Sequence, residues 1–246
     1  MVYVIVVILI YFILIIYILK ENNKIPYTST LVYKPTNITF YWINLEKSIA
    51  RRNNMQLLFD TYQLKNQRID AILGDDTKPI TRESACALSH RKAIKTFLKS
   101  DEDYGIICED DLDMSYLPYW RENIDDVIKN APIDWEVIQL AVIIPFSFFY
   151  KILKHSKINY IPYNILYSSC LCYIINKKGA FKLSFLDKNR VKIAEPFVYT
   201  NTKTYIYKYP MFTYPTNNDS FIHTDHLCVH EYSKNLVTYY LKYTKK

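Results

Sequence analysis

Residues 104–113 read YGIICEDDLD, an apolar run that turns abruptly acidic. The first five residues are small, aromatic or aliphatic, the composition of a strand buried on both faces. The next five, 109–113, carry four carboxylates. In α/β proteins, ligands gather at the carboxyl ends of the strands of the sheet. The pattern therefore predicts a buried strand with a polar, functional loop at its tip.

Short apolar segments alternate with amphipathic segments on both sides of this run. Ser48 is expected to cap the helix that follows it, because a serine hydroxyl at the N-cap can accept a backbone N–H. The alternation predicts an α/β sandwich with a mostly parallel central sheet. The further strands are expected at 39–45, 68–72, 135–140 and 171–175, and helices at 49–64, 83–99 and 177–186.

Composition excludes several classes of protein. Half of the 246 residues are hydrophobic, which is enough for one packed domain. The three glycines, Gly74, Gly105 and Gly179, lie too far apart for a dinucleotide fingerprint or a P-loop. The net charge of +7 comes from scattered basic residues, which indicates a solvated surface and no nucleic-acid partner.

The chain begins with an apolar run at 2–19 that carries no charge and is closed by Lys20. At about 1.5 Å per residue, this run approaches the thickness of a bilayer. It predicts a single transmembrane anchor at 1–20, a linker at 21–36 and one domain at 37–246. Basic residues follow the run and none precedes it, so the positive-inside rule favours a cytosolic domain, with the lumenal side left open.

The acidic run is the strongest indication of chemistry. Glu109, Asp110, Asp111 and Asp113 would repel one another and raise each other's pKa unless a cation compensated them. Oxygen-rich clusters suit hard divalent ions such as Mn²⁺ or Mg²⁺. A solvated acidic loop is the alternative interpretation.

Six segments, taken in order, resemble glycosyltransferase family 25, which contains lipopolysaccharide-biosynthesis sugar transferases and procollagen galactosyltransferases. Ala85, directly before the third segment, stands where the family has glycine. The match spans roughly residues 39–230. The segments are WINLEKS at 42–48 followed by Arg51, Arg52 and Met55, DAILG at 70–74, CALSH at 86–90, IICEDD at 106–111, YIINKKGA at 173–180, and Asp219-Ser220.

The resemblance implies a GT-A-like, Rossmann-type domain that transfers a hexose from a nucleotide sugar, expected to be a UDP-hexose. The acceptor hydroxyl would belong to a glycan, a lipid-linked molecule or a protein, and transfer would invert the anomeric carbon. A divalent ion, Mn²⁺ or Mg²⁺, would stabilise the diphosphate leaving group. Glu109 and Asp110 are expected to contact the donor, Ser89 and His90 to line its pocket, and Arg51, with Arg52, to pair with the diphosphate.

Two overlapping spacings suit the metal. Asp111 and Asp113 form a D-x-D, and Glu109 with Asp111 forms a second acidic pair, so Asp111 is common to both. A neutral imidazole often completes such a shell, and His223 is favoured over His226.

The catalytic base is expected to be a carboxylate, since the acceptor hydroxyl must lose a proton. Glu195 stands where family members commonly have aspartate, and Asp219 is its competitor.

Two other functions stay open. Asp111-Leu112-Asp113 superficially resembles the nucleophile motif of haloacid-dehalogenase-type phosphotransferases, although Glu109 and Asp110 intervene after the strand. A catalytically inactive, membrane-tethered interaction domain is the non-enzymatic alternative. Cys170 and Cys172 lack the further ligands of a zinc site and are expected to be free and buried, with both side chains on one face of a strand.

Overall fold

The computed structural model describes residues 26–77, 79–143, 157–164, 169–187, 191–215 and 227–244. Within these ranges the strands are β1 (Phe40–Asn44), β2 (Asn66–Asp70), β3 (Tyr104–Glu109), β4 (Val137–Gln139), β5 (Tyr160–Pro162), β6 (Cys172–Asn176) and β7 (Thr204–Tyr207). The α-helices are α1 (Ile49–Thr61), α2 (Arg82–Leu98), α3 (Ile124–Lys129), α4 (Lys177–Ser184) and α5 (Leu227–Tyr243).

The strands form one mixed sheet in the order β2-β1-β3-β6-β4-β7-β5. β1 is parallel to β2 and β3, and β4 is parallel to β7. β6 is antiparallel to both neighbours, and β5 is antiparallel to β7. The α/β prediction is confirmed, while the expected parallel character holds for the β2-β1-β3 part and the β4–β7 pair. The apolar pattern of a buried strand such as β6 is the same for a parallel and an antiparallel strand, so the sequence could not show that β6 is antiparallel.

Alternate residues of the central strands pack into two hydrophobic cores, one on each face of the sheet. Phe40 and Trp42 of β1 pack on Phe59 of α1, with ring centroids 5.6 and 5.8 Å away. Tyr41, between them, points to the other face and packs on Phe97 of α2 at 5.8 Å. Helices therefore cover both faces of β1, with α1 and α2 on opposite sides of the sheet.

Helix capping differs from the prediction at one position. Ser48 precedes α1, but its backbone (φ −87°, ψ 62°) is not extended and its side chain makes no capping hydrogen bond. The Ser48 hydroxyl is instead buried without a hydrogen-bond partner among the described residues. The predicted cap is therefore wrong, whereas Thr81 caps α2 and Asn176 caps α4 by accepting the backbone N–H groups of Ser84 and Gly179.

The described part of the predicted linker, 26–36, contains no helix or strand and lies along the domain. Tyr27 N donates to the Lys242 carbonyl at 2.6 Å, and the Ser29 hydroxyl donates to the Trp120 carbonyl at 2.6 Å. The predicted anchor at 2–19 lies outside the described residues. Among those that are described, no helix has the length and apolar character needed to cross a bilayer.

Gly105 lets α2 approach β3, and its replacement gives a testable effect on stability. A Cβ at position 105 would lie 2.6 Å from Cδ2 of Phe97, which is fully buried. We expect Gly105→Ala to lower the free energy of unfolding by about 1–3 kcal/mol through overpacking, measured by urea denaturation. Combined with Phe97→Leu, it should cost less than the sum of the two single changes, because leucine vacates that space. Additive costs would contradict this explanation.

Candidate functional site

The acidic run lies at the carboxyl edge of the parallel strands. Glu109 ends β3 and is paired in register with Ile43 of β1, one residue before β1 ends at Asn44. The loop that follows separates two clefts. A smaller cleft of about 250 Å³ lies toward α2 and a larger cleft of about 490 Å³ lies toward α1. Arg51, Asp110 and Asp111 line both clefts, so the acidic loop forms the wall between them.

Asp111 is the least compensated carboxylate in this wall. Its Oδ1 is buried and has no hydrogen-bond partner among the described residues, and its Oδ2 lies 3.6 Å from Nη1 of Arg51. The side chain is 22% exposed. Burial, followed by the charge of Glu109, raises the pKa of Asp111 to about 7, with Arg51 opposing the rise. An oxygen without a partner beside other carboxylates is a position that a cation would stabilise.

Asp110 differs from its neighbour because both of its oxygens are occupied. Oδ1 accepts a hydrogen bond from Nη1 of Arg51 at 2.8 Å, and Oδ2 accepts one from Nδ2 of Asn44 at 2.7 Å. Burial alone would lower the pKa of Arg51, but Asp111 and Asp110 outweigh it and raise the pKa above its ordinary value. The expected donor contact of Asp110 stays a prediction, while its visible role is to hold the loop against β1 and α1.

Asn44 is a site residue that the sequence reasoning missed. It is 1% exposed, and besides Asp110 its Nδ2 donates to the Ser48 carbonyl at 3.2 Å. Its Oδ1 accepts from Nε of Arg52 at 3.2 Å and from Nε of Arg68 at 3.0 Å. The available signal was an amide at the end of an apolar strand beside the acidic run. Arg52 is directed to Asn44 and Glu46 and lines neither of the two clefts.

The two predicted acidic pairs face different clefts. Glu109 and Asp111 line the smaller cleft, whereas Asp111 and Asp113 line the larger one. Asp113 Oδ1 accepts the backbone N–H of Ser115 at 2.6 Å, and the Asp113 backbone bridges to Thr213. Asp113 is thus partly committed to its own turn, and its role as a metal ligand stays a prediction.

Ser89 and His90 of α2 both line the smaller cleft, and their predicted role in a donor pocket stays a prediction. The Ser89 hydroxyl donates to the Ala85 carbonyl at 2.7 Å and accepts from Ile72 N at 2.8 Å, which ties the helix to the loop after β2. His90 is fully buried, with Nε2 3.2 Å from Oε1 of Glu109 and Nδ1 3.2 Å from the hydroxyl of Tyr173. Both residues position the cleft wall.

Cys86 also faces the smaller cleft, one helical turn before His90. The thiol sulfur of Cys86, a ring nitrogen of His90 and a carboxylate oxygen of Glu109 all lie within 4.8 Å of one another. Burial, followed by the charges of Glu109, Glu195 and Asp111, raises the pKa of the Cys86 thiol well above its ordinary value. Cys86 begins the CALSH segment at 86–90, but the sequence pattern assigns it no role.

Of the residues predicted as catalytic base or imidazole ligand, the structure describes only Glu195. Oε1 of Glu195 accepts the backbone N–H of Ser169 at 3.3 Å. Its neighbours Ala194 and Phe197 belong to the core cluster that contains Phe97 of α2, which places this segment on the α2 side of the sheet. Glu195 itself lines neither of the two clefts. Asp219, His223 and His226 lie outside the described residues, and their roles stay predictions.

Cys170 and Cys172 are free and buried, which confirms that prediction. They belong to different core clusters, however, so the expected common face is wrong. β6 begins only at Cys172, and Ser169 has a φ of 94°, so Cys170 precedes the regular alternation of the strand.

Comparison of the chain with models of known protein families finds no match, and comparison with curated proteins finds no similar sequence. The resemblance to glycosyltransferase family 25 therefore rests on the six sequence segments alone and stays a prediction.

Proposed function

We propose that this chain is a divalent-metal-dependent glycosyltransferase that moves a hexose from a nucleotide sugar, such as a UDP-hexose, to an acceptor hydroxyl. The observation that carries the proposal is Asp111, whose buried Oδ1 lacks a partner in the wall between two clefts. Burial and the acidic neighbours raise the pKa of Asp111 to about 7 although Arg51 lies beside Oδ2, so a divalent ion at the unpartnered oxygen would stabilise the ionised carboxylate at neutral pH.

The smaller cleft has the composition expected for the nucleotide part of the donor. Its walls include the apolar side chains of Leu45 and Leu73, which can pack against a flat base or a ribose. Lys47, Arg51 and Arg82 line the same cleft and supply positive charge for phosphate oxygens. A cleft that combines apolar walls with cations and carboxylates fits a nucleoside diphosphate held through a divalent ion.

The residues present fit such an ion. Glu109 and Asp111 offer carboxylate oxygens to the smaller cleft, and Asp113 offers another beyond the wall, with His223 as a predicted further ligand. An ion held there, Mn²⁺ or Mg²⁺, would stabilise the negative charge that develops on the diphosphate as the glycosidic bond breaks. Arg51, already fixed by Asp110, would orient the phosphates from the same wall.

Glu195 is the base that this proposal assigns among the described residues, with Asp219 as the alternative. Its Oε1 accepts the backbone N–H of Ser169 at 3.3 Å, which orients the carboxylate. It would take the proton from the acceptor hydroxyl, as an inverting reaction requires. The acceptor is proposed to be a glycan, a lipid-linked molecule or a protein, met at the membrane through a segment at 2–19 with the domain on the cytosolic side.

The phosphotransferase alternative finds less support in this geometry. That chemistry needs an aspartate at the strand tip, but β3 ends at Glu109 and Asp111 follows two residues later. The second aspartate of the motif, Asp113, has Oδ1 engaged by the backbone of Ser115.

The test is donor turnover by the full-length chain. We expect release of UDP from a UDP-hexose in the presence of Mn²⁺, loss of release with EDTA, and recovery when excess Mn²⁺ is added back. Release of phosphate from a phosphomonoester without release of UDP would favour the phosphotransferase. Absence of Mn²⁺-dependent UDP binding by calorimetry would favour the non-enzymatic domain.

A further inference from the structure

The smaller cleft contains a second group of potential metal ligands, different in chemistry from the acidic loop. Cys86 and His90 stand at positions i and i+4 of α2, so their side chains lie on the same side of that helix. Glu109 reaches them from the tip of β3, and the three ligand atoms lie within 4.8 Å of one another. A tetrahedral ion separates its ligand atoms by about 3.5 Å, so a small rotation of the side chains would close this group around an ion.

The surroundings of His90 favour such a role. Its Nδ1 lies 3.2 Å from the hydroxyl of Tyr173, and the two rings are stacked at 5.8 Å. Metal-ligating imidazoles commonly hold their second nitrogen in a hydrogen bond of this kind, which fixes the ring and aims the other nitrogen at the ion. A hydroxyl can donate or accept, so it serves either tautomer of the ring. The bond to Tyr173 thus fixes the ring, with Nε2 directed at Oε1 of Glu109.

Charge and access agree with a cation at this position. The carboxylates of Glu109, Glu195 and Asp111 all act on the Cys86 thiol, and each of them disfavours its ionised form. A divalent ion would reverse this balance by binding the thiolate directly. Cys86 is only partly buried, unlike Cys108, Cys170 and Cys172, and it lines the open cleft, so an ion can reach it from solvent.

We propose that Cys86, His90 and Glu109 form a binding site for a thiophilic divalent cation, with Zn²⁺ as the expected ion. Thiolate and imidazole ligands select Zn²⁺ over Mg²⁺ and Mn²⁺, which prefer oxygen. Three protein ligands leave a fourth position open to water or to a bound ligand in the cleft. The site is therefore separate in its selectivity from the oxygen-rich loop, although the two share Glu109.

This shared residue has a functional consequence that rests on the proposed transferase activity. A zinc ion would withdraw Glu109 from the acidic pair that it forms with Asp111 in the smaller cleft. Zinc would then inhibit Mn²⁺-dependent turnover. The binding site itself is independent of that activity, since zinc binding can be measured whether or not the chain transfers a sugar.

The binding test uses Co²⁺ as a spectroscopic substitute for Zn²⁺ on the full-length chain. We expect a sulfur-to-cobalt charge-transfer band that saturates at a single ion per chain, is displaced by Zn²⁺ and persists in excess Mg²⁺. Cys86→Ser should remove the band, because an alcohol does not replace a thiolate ligand. Cys108→Ala is the matched control: Cys108 is buried in the other core, and its loss should leave the band intact.

A second measurement needs no variant. In the wild-type chain, alkylation of Cys86 mapped by mass spectrometry should slow strongly when Zn²⁺ is added and stay unchanged with Mg²⁺. Absence of the cobalt band, its survival in Cys86→Ser, or alkylation of Cys86 that Zn²⁺ does not slow would each overturn the proposal. Zinc binding without any effect on UDP release would leave the site in place and contradict only the inhibition.

Discussion

Asp111→Asn should abolish Mn²⁺-dependent release of UDP, with a loss of at least about 100-fold in kcat, the scale expected when one preorganised electrostatic group is removed. The amide keeps the shape of the side chain but loses the charge that would hold the ion. Asp111 is the residue that both acidic pairs share and that lines both clefts, so neither pair can substitute for it. Initial rates of UDP release at saturating Mn²⁺ would measure the loss.

The same substitution should stabilise the metal-free protein, which separates a functional role from a structural one. The pKa of Asp111 is about 7 in the folded chain, against about 3.9 for an ordinary aspartate. Between these values the folded state binds a proton that the unfolded state has released, so the stability of the wild type falls as pH rises from about 4 to about 7. Asparagine does not titrate, so the variant should not lose stability over this pH range. At neutral pH its midpoint of thermal unfolding should exceed that of the wild type by about 2–4 °C for each kcal/mol of unfolding free energy gained.

Asp113→Asn is the matched control for both readouts. Its Oδ1 accepts a backbone N–H, and an amide oxygen can accept the same bond, so neither a gain in stability nor a loss of the fold is expected. We expect a smaller loss of turnover than for Asp111→Asn. Equal losses would show that the pair facing the larger cleft holds the ion, and a stable but fully active Asp111→Asn would remove the central support of the proposed function.

The part of the fold that the sequence predicted well is the part where apolar pattern and position agree. The observed bounds of five elements lie within a few residues of the expected ones: β1, β3, β6, α2 and α4. In each of them the hydrophobic residues follow the strand or helix pattern clearly, and polar or turn-forming residues mark the ends. β5 and β7 were missed, since each is three or four residues long and set among aromatic residues that read as general core. The long α5 was also missed, and its bounds depend on packing against distant parts of the chain.

The site was predicted where chemistry follows one continuous run of sequence, and missed where it depends on residues far apart. The importance of Asp111 followed from its place in two overlapping pairs at 109–113. The partnership of Cys86 with Glu109 requires α2 to lie beside the tip of β3, which no local pattern encodes. Alanine at position 85, where the family pattern has glycine, is buried against Gly74. A Cβ at position 74 would lie 2.7 Å from the Ala85 Cβ, so the glycine at position 74 leaves room for the alanine methyl group.

Asn44→Asp is expected to destabilise the protein by about 2–4 kcal/mol at neutral pH and to disorder the acidic loop. The wild-type Nδ2 donates to Asp110 Oδ2 at 2.7 Å and to the Ser48 carbonyl at 3.2 Å. An aspartate would present an oxygen to both of these acceptors, losing two buried hydrogen bonds and placing two carboxylates in contact. Urea denaturation would measure the cost, and it should shrink as pH falls and the carboxylates share a proton.

Asn66→Asp tests whether this effect comes from the acidic loop or from any amide-to-acid change beside β1, at a residue that is half-buried. Asn66 Oδ1 accepts from Nε1 of Trp42 at 3.1 Å, and its Nδ2 donates only a 3.3 Å bond to the Leu64 carbonyl. An aspartate at position 66 would still accept the bond from Trp42. It would lose the weak bond to the Leu64 carbonyl but would contact no other carboxylate, so the cost in stability should stay below about 1 kcal/mol. Because the two variants carry the same amide-to-acid change, their difference in cost measures the surroundings of Asn44, where Asp110, Arg52 and Arg68 are in contact with the side chain. Similar costs in the two variants would mean that Asn44 holds the strand end and not the acidic loop.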